Sequence, residues 1–400
     1  VSPHHSPADR HLDRADAAHL DAIEDDSRHV DLLVVGAGII GLAHAWHAAR
    51  RGMSVLVIER DERAVGASIR NFGHICTTAQ AGLAREYALD AREEWLRVGS
   101  EAGIPVRTDG TLVLARTAAE LAVLEEFAAG RDDEVRMLTP GEAASLAGFE
   151  TPGLLAGAHL PNDLRVDSPD AVPALARHLA DIGVQFRFGE NALEVTGGFV
   201  RTTRAEYTAD SVVLAVGHDV DRHYPDLAEQ TGVQRCRLRM LEIDAPDGIR
   251  TAPGVFTGTS LLRYDGFAST EAAARLRAEL TESDPELLEH TVNLMFTQRP
   301  DGRLVIGDTH HYATTLTPFE DEELDDLLLD RFHRLFGAEH LRVRRRWRGV
   351  YAAAQSGPFL MANPEPGVAV ATVTSGIGMT TGFGLASAVL DEFVLAPHRA

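Results

Sequence analysis

The chain has 400 residues, 44% hydrophobic and 24% charged, with a formal net charge of −22 at pH 7. That balance suits a globular protein, either one two-lobed unit or two to three domains. The charge excludes nucleic acid and anionic membranes as partners, yet leaves room for an anionic substrate held by local arginines. No apolar run approaches the roughly 18 residues needed to span a bilayer, and no apolar stretch behind a basic N-terminus marks a secretory signal. Cys76 and Cys236 are the only cysteines. They give neither a disulfide framework nor zinc spacing, which predicts a reduced, cytoplasmic protein with no membrane insertion and no metal. All 38 basic residues are arginine, so Walker A and Schiff-base lysine chemistry are excluded.

Residues 1–29 are polar and rich in acids, histidines and arginines, and read as a disordered tail. His4, His5, His11, His19 and His29 are too irregularly spaced for a metal tract. From Asp31 the pattern changes. Leu32-Leu33-Val34-Val35 reads as a buried strand. Gly36, Gly38 and Gly41 follow at G-x-G-x-x-G spacing, and a helix through Trp46 ends at Gly52. A second buried strand, 54–58, closes at Glu59, near the spacing of a ribose partner. Gly36 permits the turn, Gly38 the approach of a pyrophosphate, and Gly41 close helix–sheet packing. The free N–H groups of the helix N-terminus attract phosphate. Together these predict a dinucleotide site.

The loop Gly66 to His74 is small and polar. Ser68, Arg70 and Asn71 are candidates for phosphate or ribitol oxygens, and Gly73 for close approach to a flat ring. Residues 80–99 read as an amphipathic helix with Leu83, Tyr87, Ala91, Trp95 and Val98 on one face. Val106 to Ala115 reads as a hairpin turning at Asp109-Gly110. Helices are expected over 118–129, after Thr139-Pro140, and over 167–182. Strands are expected at 184–188, 192–195, 199–203 and 209–217. Further on come helices over 271–280 and 321–336, with a hairpin through Pro300-Asp301-Gly302. The chain closes with a strand over 367–374, a glycine-rich turn over 375–382 and a helix over 383–395.

These segments carry a resemblance. VVGAGIIG with Glu59, GASIRNFG, ADSVVLAVG, QRPDGRLVIGD, RWRGVY and VTSGIGMTTGFGLA together make residues 30 to 395 resemble the D-amino-acid oxidase, glycine oxidase and sarcosine oxidase superfamily of FAD enzymes. RNFG, GDTHHY and SGIGMT look most like a bacterial branch associated with aminophosphonate breakdown. The resemblance implies an α/β fold (α+β overall). A Rossmann-like FAD-binding domain with a central parallel sheet would take 30–103, 151–225 and 345–396. A substrate-binding domain with a mostly antiparallel sheet would take 104–150 and 226–344. It implies FAD phosphates on Gly36, Gly38, Ile40 and Gly41, and the ribose on Glu59 beside Arg60. Ser68, Arg70, Asn71, Phe72 and Gly73 would lie along the flavin, Val195 near the adenine and Gly217 near the pyrophosphate. Gly376, Gly378, Met379 and Thr380 would meet the pyrimidine edge, where a helix starting near Gly382 stabilises charge at N1 and C2=O by about 0.3–1 kcal/mol.

The departures bear on function. Relatives that oxidise α-amino acids place an arginine two residues after the glycine of W-x-G; here Trp347-Arg348-Gly349-Val350 leads to Tyr351. A bulkier phosphonate would use other donors, namely Arg263, His310, His311, Tyr351 and Thr380. Gly307-Asp308 ends a hairpin strand and does not open the last FAD helix, unlike the glycine–aspartate signature of flavin hydroxylases. The oxygen-activating lysine of sarcosine-oxidase relatives is absent. His74, His310 or an arginine would replace its charge, or another electron acceptor would serve. His74, His310 and Tyr351 are thus the catalytic candidates. No cysteine lies in the C-terminal flavin segments, so FAD is expected to be held non-covalently. The expected reaction is oxidation of a small anionic amine, favoured as an aminoalkylphosphonate or its N-methyl derivative. Hydride passes to flavin N5, the imine hydrolyses, and O2 or another acceptor takes the electrons. N-methyl or D-amino acids are the alternative amines. A 2-hydroxy acid or glycerol-phosphate type dehydrogenase, with His310 or His311 as base, is the alternative class. No oligomeric state is read from the sequence.

Overall fold

The computed structural model describes residues 29–246 and 248–395. The expected disordered tail lies outside these residues, except that His29 already begins the first strand, His29–Val35. Leu32, Leu33 and Val34 are fully buried, as a central parallel strand requires. This strand pairs in parallel with Val55–Glu59 on one side and Glu206–Leu214 on the other. Gln185–Phe188 and Val368–Val373 extend the parallel order outward, and Phe359–Glu365 closes one edge antiparallel. Ala192–Thr196 and Phe199–Thr202 hang from Glu206–Leu214 as a side hairpin.

One face of this sheet is covered by the helices Ile39–Arg50, Gly82–Ala102, Ser168–Asp181 and Gly378–Val389. Their apolar faces meet around Trp46, Trp95, Phe186 and Phe383. The Gly82–Ala102 helix buries Ala84, Ala88, Ala91, Trp95 and Val98. Leu83, expected on that face, is 47% exposed. It sits one position from Ala84, about 100° round the helix, so the stripe passes it by.

A second eight-stranded sheet runs in the order Val343–Ala353, Gln234–Ile243, Leu304–Ala313, Met295–Gln298, Gly254–Phe256, Thr111–Ala115, Ala156–Leu160, Arg136–Leu138. It is antiparallel except where Gly254–Phe256 meets Thr111–Ala115. The hairpin expected over 106–115 does not form. Thr111–Ala115 pairs instead with Ala156–Leu160 and Gly254–Phe256, while Arg107 bridges to Arg165. A turn signal is local, whereas strand pairing is decided by whichever apolar partner the fold brings alongside. For the same reason Ala156–Leu160 and all of Val343–Ala353 belong to this sheet, and the division expected at 151 and 345 misplaces them. Phe296, Phe332 and Phe336 pack with Phe149 beneath this sheet. No helix among the described residues is long and apolar enough to cross a membrane.

Candidate active site

A cavity of about 650 Å³ is walled by both sheets. From the first sheet it receives the C-terminal ends of the parallel strands, with Val35, Ile58, Glu59, Ala215, Val216 and Val373. Ligands of open parallel sheets bind at such strand ends. Gly36 leaves the first strand with φ +108°, a conformation L side chains rarely adopt. A Cβ on Gly41 would lie 1.8 Å from the Gly36 carbonyl oxygen, so helix and turn touch only because residue 41 is glycine. Gly38 and Ile40 face the cavity.

Two side chains brace this turn. The Ser68 hydroxyl accepts from the Ile39 N–H at 2.9 Å. The Glu59 carboxylate accepts from the N–H groups of Ala37 at 2.9 Å and Asp61 at 3.1 Å, and burial raises its pKa above the usual carboxylate range. Arg60 lines the cavity while pairing with Asp219 at 2.7 Å. Ser68, Arg70, Asn71 and Phe72 also line it. The polar atoms of the Asn71 side chain are nevertheless spent on its own loop. They donate to the Ala67 and Ser68 carbonyls and accept from the Gly73 N–H, so the expected ribitol contact is not what holds them. Gly73 is absent from the wall. A Cβ there would lie 1.8 Å from the Val166 carbonyl oxygen, so packing on Val166 explains this glycine and approach to a ring does not.

Val195 is also displaced from its expected place. Its strand reaches the cavity through Ala192 and Leu193, and the Val195 carbonyl accepts from the Tyr224 hydroxyl. Gly217, Gly376, Gly378, Met379 and Thr380 do line the cavity. The final helix begins at Gly378, four residues before the expected start. A Cβ on Gly382 would lie 3.1 Å from Ile40 Cδ1, so that glycine serves helix–helix contact. Trp95 Nε1 donates to the Met379 carbonyl at 2.7 Å, and the Thr380 hydroxyl accepts from the Cys76 N–H at 3.1 Å.

The other end of the cavity is made of side chains. Arg263 follows a short 3-10 turn, Gly258–Leu262. Its Nη2 donates to the Ser375 carbonyl at 2.7 Å and the Tyr351 hydroxyl at 3.2 Å. Among the described residues no carboxylate forms an ion pair with it. An arginine from a different element thus abuts the tyrosine that stands at position 351. His310 shares the cavity-facing side of Leu304–Ala313 with Asp308, whereas His311 points outward and is exposed. Strand alternation makes this split, and it removes His311 from the site.

Neither histidine supplies a cation. His310 Nδ1 bonds to the Thr291 carbonyl at 2.8 Å. A carbonyl only accepts, so Nδ1 carries the hydrogen and Nε2 a bare lone pair. Burial, then Arg263, pushes this imidazole down to about 3. His74 Nε2 lies 2.5 Å from the Thr111 hydroxyl, which donates to Asp163 at 2.6 Å. Burial, then Arg165, takes His74 to about 3 as well. Both rings are neutral at physiological pH, which overturns their expected role as replacements for an oxygen-activating lysine. His74, Cys76 and Asp163 place a ring nitrogen, a thiol and a carboxylate oxygen within 4.8 Å of one another. The Asp163 oxygens are already engaged by Thr111 and the Thr78 N–H.

Sequence reasoning left Asp308 out of the site. It is buried in the cavity wall, and its Oδ1 has no hydrogen-bond partner. Burial pushes its carboxyl up to about 7, against the pull of Arg263 and of hydrogen bonding from Asn293. The signal was its period-two spacing from His310.

The donor set fits a flavin dinucleotide. A glycine turn and helix N-terminus suit the pyrophosphate, a carboxylate at the second strand end suits a ribose, and a second helix N-terminus lies across the same cavity. Comparison with known proteins agrees. The chain is 28% identical to a glycine oxidase of Bacillus licheniformis over 353 residues, 84% of this chain and 85% of that protein. It is also 28% identical to a glycine oxidase of Geobacillus kaustophilus, though that match spans only about half of each, 47% of this chain and 54% of the relative. The crystal structure of glycine oxidase from Geobacillus kaustophilus shares the fold with a TM-score of 0.74 and 21% identity, covering 92% of this chain and 94% of that one. Residues 31–392 match the family described as DAO, FAD dependent oxidoreductase, and the chain belongs to that family.

Proposed function

We propose that this protein is an FAD-dependent amine oxidase or dehydrogenase acting on a small amine that carries an anionic group. An aminoalkylphosphonate or its N-methyl derivative is the favoured substrate. The reading rests on one observation: a guanidinium, Arg263, and a carboxyl, Asp308, line one cavity without pairing, beside the Tyr351 hydroxyl. A molecule bearing both an anion and an amine satisfies both. The glycine oxidases similar to this chain are named for a substrate of that kind.

When bound, FAD supplies the acceptor for the two electrons of a C–H bond next to nitrogen. The chain's own residues position and shield the substrate, which provides most of the rate in chemistry of this type. Arg263 holds the anionic end and Tyr351 adds a hydroxyl donor. Leu238, Met240 and Met295, all buried in the wall, exclude water. A guanidinium fork takes two oxygens of carboxylate or phosphonate alike; a phosphonate has a third, which the Tyr351 hydroxyl beside Arg263 would meet. The imine product then hydrolyses to an aldehyde or keto compound. With both histidines neutral, Arg263 is the cation facing the reacting end, whether O2 or another acceptor takes the electrons. Cys76 lines the cavity, but burial raises its thiol well above the usual range, which makes it a poor nucleophile and supports FAD held without a covalent bond.

The test is an anaerobic screen for flavin bleaching by aminophosphonates, N-methyl amino acids and D-amino acids, followed by readmission of air. Bleaching by an anionic amine supports the reading; bleaching only by hydroxy acids overturns it. The rate of recolouring separates oxidase from dehydrogenase. Acid precipitation should leave the flavin in the supernatant.

A further inference from the structure

Resting on that reading, we propose that Asp308 is the base that takes a proton from the substrate's ammonium group and so delivers the neutral amine that oxidation requires. Small amines reach the enzyme largely as cations, since their pKa values lie above neutrality. The nitrogen lone pair must be free before the adjacent C–H bond is oxidised. In the step assigned here the N–H bond breaks and its electrons stay on nitrogen. The proton forms an O–H bond with the carboxylate. A cation and an anion become two neutral groups.

The geometry singles out this carboxyl. The backbones of Asp308 and Asn293 exchange hydrogen bonds of 2.8 Å in both directions, which fixes its position. The Asn293 side-chain oxygen is taken by the Ser260 hydroxyl at 2.7 Å, leaving its amide NH2 as a donor. Yet Asp308 Oδ1 is buried with no donor. A carboxylate oxygen covered by protein and left unpaired is costly while ionised, which favours uptake of a proton, and what the side chain still exposes, 6%, belongs to the cavity wall. The groups facing it are Arg263 and Tyr264, His310 on its own strand, Cys236 and Tyr351. His310 offers only a lone pair, with Nε2 3.9 Å from Oδ2. Burial raises Tyr264 and Tyr351 well above their usual range and pushes Cys236 up to about 12, so all three stay neutral. Arg263 is the one charged neighbour among them, and it takes the substrate's anion. The carboxyl itself titrates near about 7, where a general base works best.

The test uses FAD-loaded enzyme, wild type beside Asp308→Asn and Asp308→Glu, each checked for flavin content and melting temperature. Anaerobic bleaching by glycine, sarcosine and aminomethylphosphonate is followed across neutral pH. Wild-type bleaching should rise with pH through about 7. D308N should lose that rise and slow by about 10²-fold or more at neutral pH, recovering only toward the free amine's own pKa. D308E should keep the rise. A second readout needs no turnover. Acetate, followed by perturbation of the flavin spectrum, should bind wild type more weakly as the pH rises past neutrality, and D308N tightly at every pH. If D308N loses flavin, D308E and the wild-type acetate titration decide the matter. Amines that bleach wild type and D308N with the same pH profile would overturn the proposal and leave amine oxidation standing. Bleaching by hydroxy acids alone would overturn both.

Discussion

At the end of the cavity proposed for the dinucleotide the wall is mostly backbone; at the end proposed for the substrate it is side chains. The first end is assembled from strand termini, a glycine turn and two helix N-termini, drawn from several stretches whose backbone forms the wall. The second draws Arg263, Asn293, Asp308, His310 and Tyr351 from four separate stretches of the second sheet and its connections. The first end therefore tolerates almost no change in backbone space, while the second can be re-specified one side chain at a time. Changing the two ends should give different kinds of failure, and that contrast can be tested.

The largest effect is expected at Gly41. A Cβ there would lie 1.8 Å from the Gly36 carbonyl oxygen, 3.0 Å from the carbonyl carbon and 3.2 Å from Val34 Cγ1. Backbone cannot move aside as a side chain can. Gly41→Val should cost more than about 4 kcal/mol and yield a protein without flavin colour. Flavin absorbance and thermal unfolding measure it. A yellow, stable variant would show that the turn is not a backbone device.

Arg263→Met comes next and should fail differently. The protein should keep its FAD and its melting temperature. Flavin reduction by an anionic amine should fall about 10²-fold or more, the scale of removing one buried, hydrogen-bonded charge. Loss of flavin together with activity would mean that Arg263 chiefly props the Ser375 carbonyl, and the two ends would not be separable.

The same contrast decides what could be read in advance. Gly36, Gly38, Gly41 and Glu59 were legible because spacing in one short stretch is itself the geometry. The helix over 118–129 was legible because Thr117 and Glu120 form a reciprocal cap. Val195 was placed too far along its strand and Gly73 on the wrong partner, because a strand's contact point with a distant cavity leaves no local mark. Asp308 was missed for a deeper reason. Its chemistry comes from burial and from Arg263, 45 residues away in sequence, and neither is visible until the sheet forms.

Buried histidines provide a third, smaller probe of the two ends. Burial first, and then nearby charge in all three cases, lowers His44 to about 4 and His74 and His310 to about 3. Each folded value lies below the unfolded one of about 6.5, so unfolding takes up protons as the pH drops between the two. Their contribution to stability is complete above about 6.5 and is lost on acidification, by up to about 1.4 kcal/mol per pH unit for each ring. Asp308 works the other way. With its folded value raised, keeping it ionised costs stability as the pH climbs from about 4 toward 7. Differences between variants separate these terms. At saturating FAD, H74Q/H310Q should flatten the acid slope about twice as much as H44Q, which lies under the dinucleotide turn. Equal flattening would mean that the substrate end is already wet.

The smallest expected effect lies where the two kinds of construction meet. Trp95 packs edge-on against Phe383 with ring centroids 5.2 Å apart, and its Nε1 donates to the Met379 carbonyl in the first turn of the final helix. Met379 itself lines the cavity. Trp95→Phe keeps an aromatic ring in the packing but deletes the donor. One neutral hydrogen bond is worth about 1 kcal/mol, so the melting temperature should fall only slightly. Flavin affinity should weaken as well, because the helix N-terminus at Gly378 is held in line by that bond as much as by its own backbone. A variant that loses stability but binds FAD as tightly as wild type would show that the first turn is positioned from the cavity side, by Thr380 and the Cys76 N–H, and that the side-chain brace behind it is dispensable.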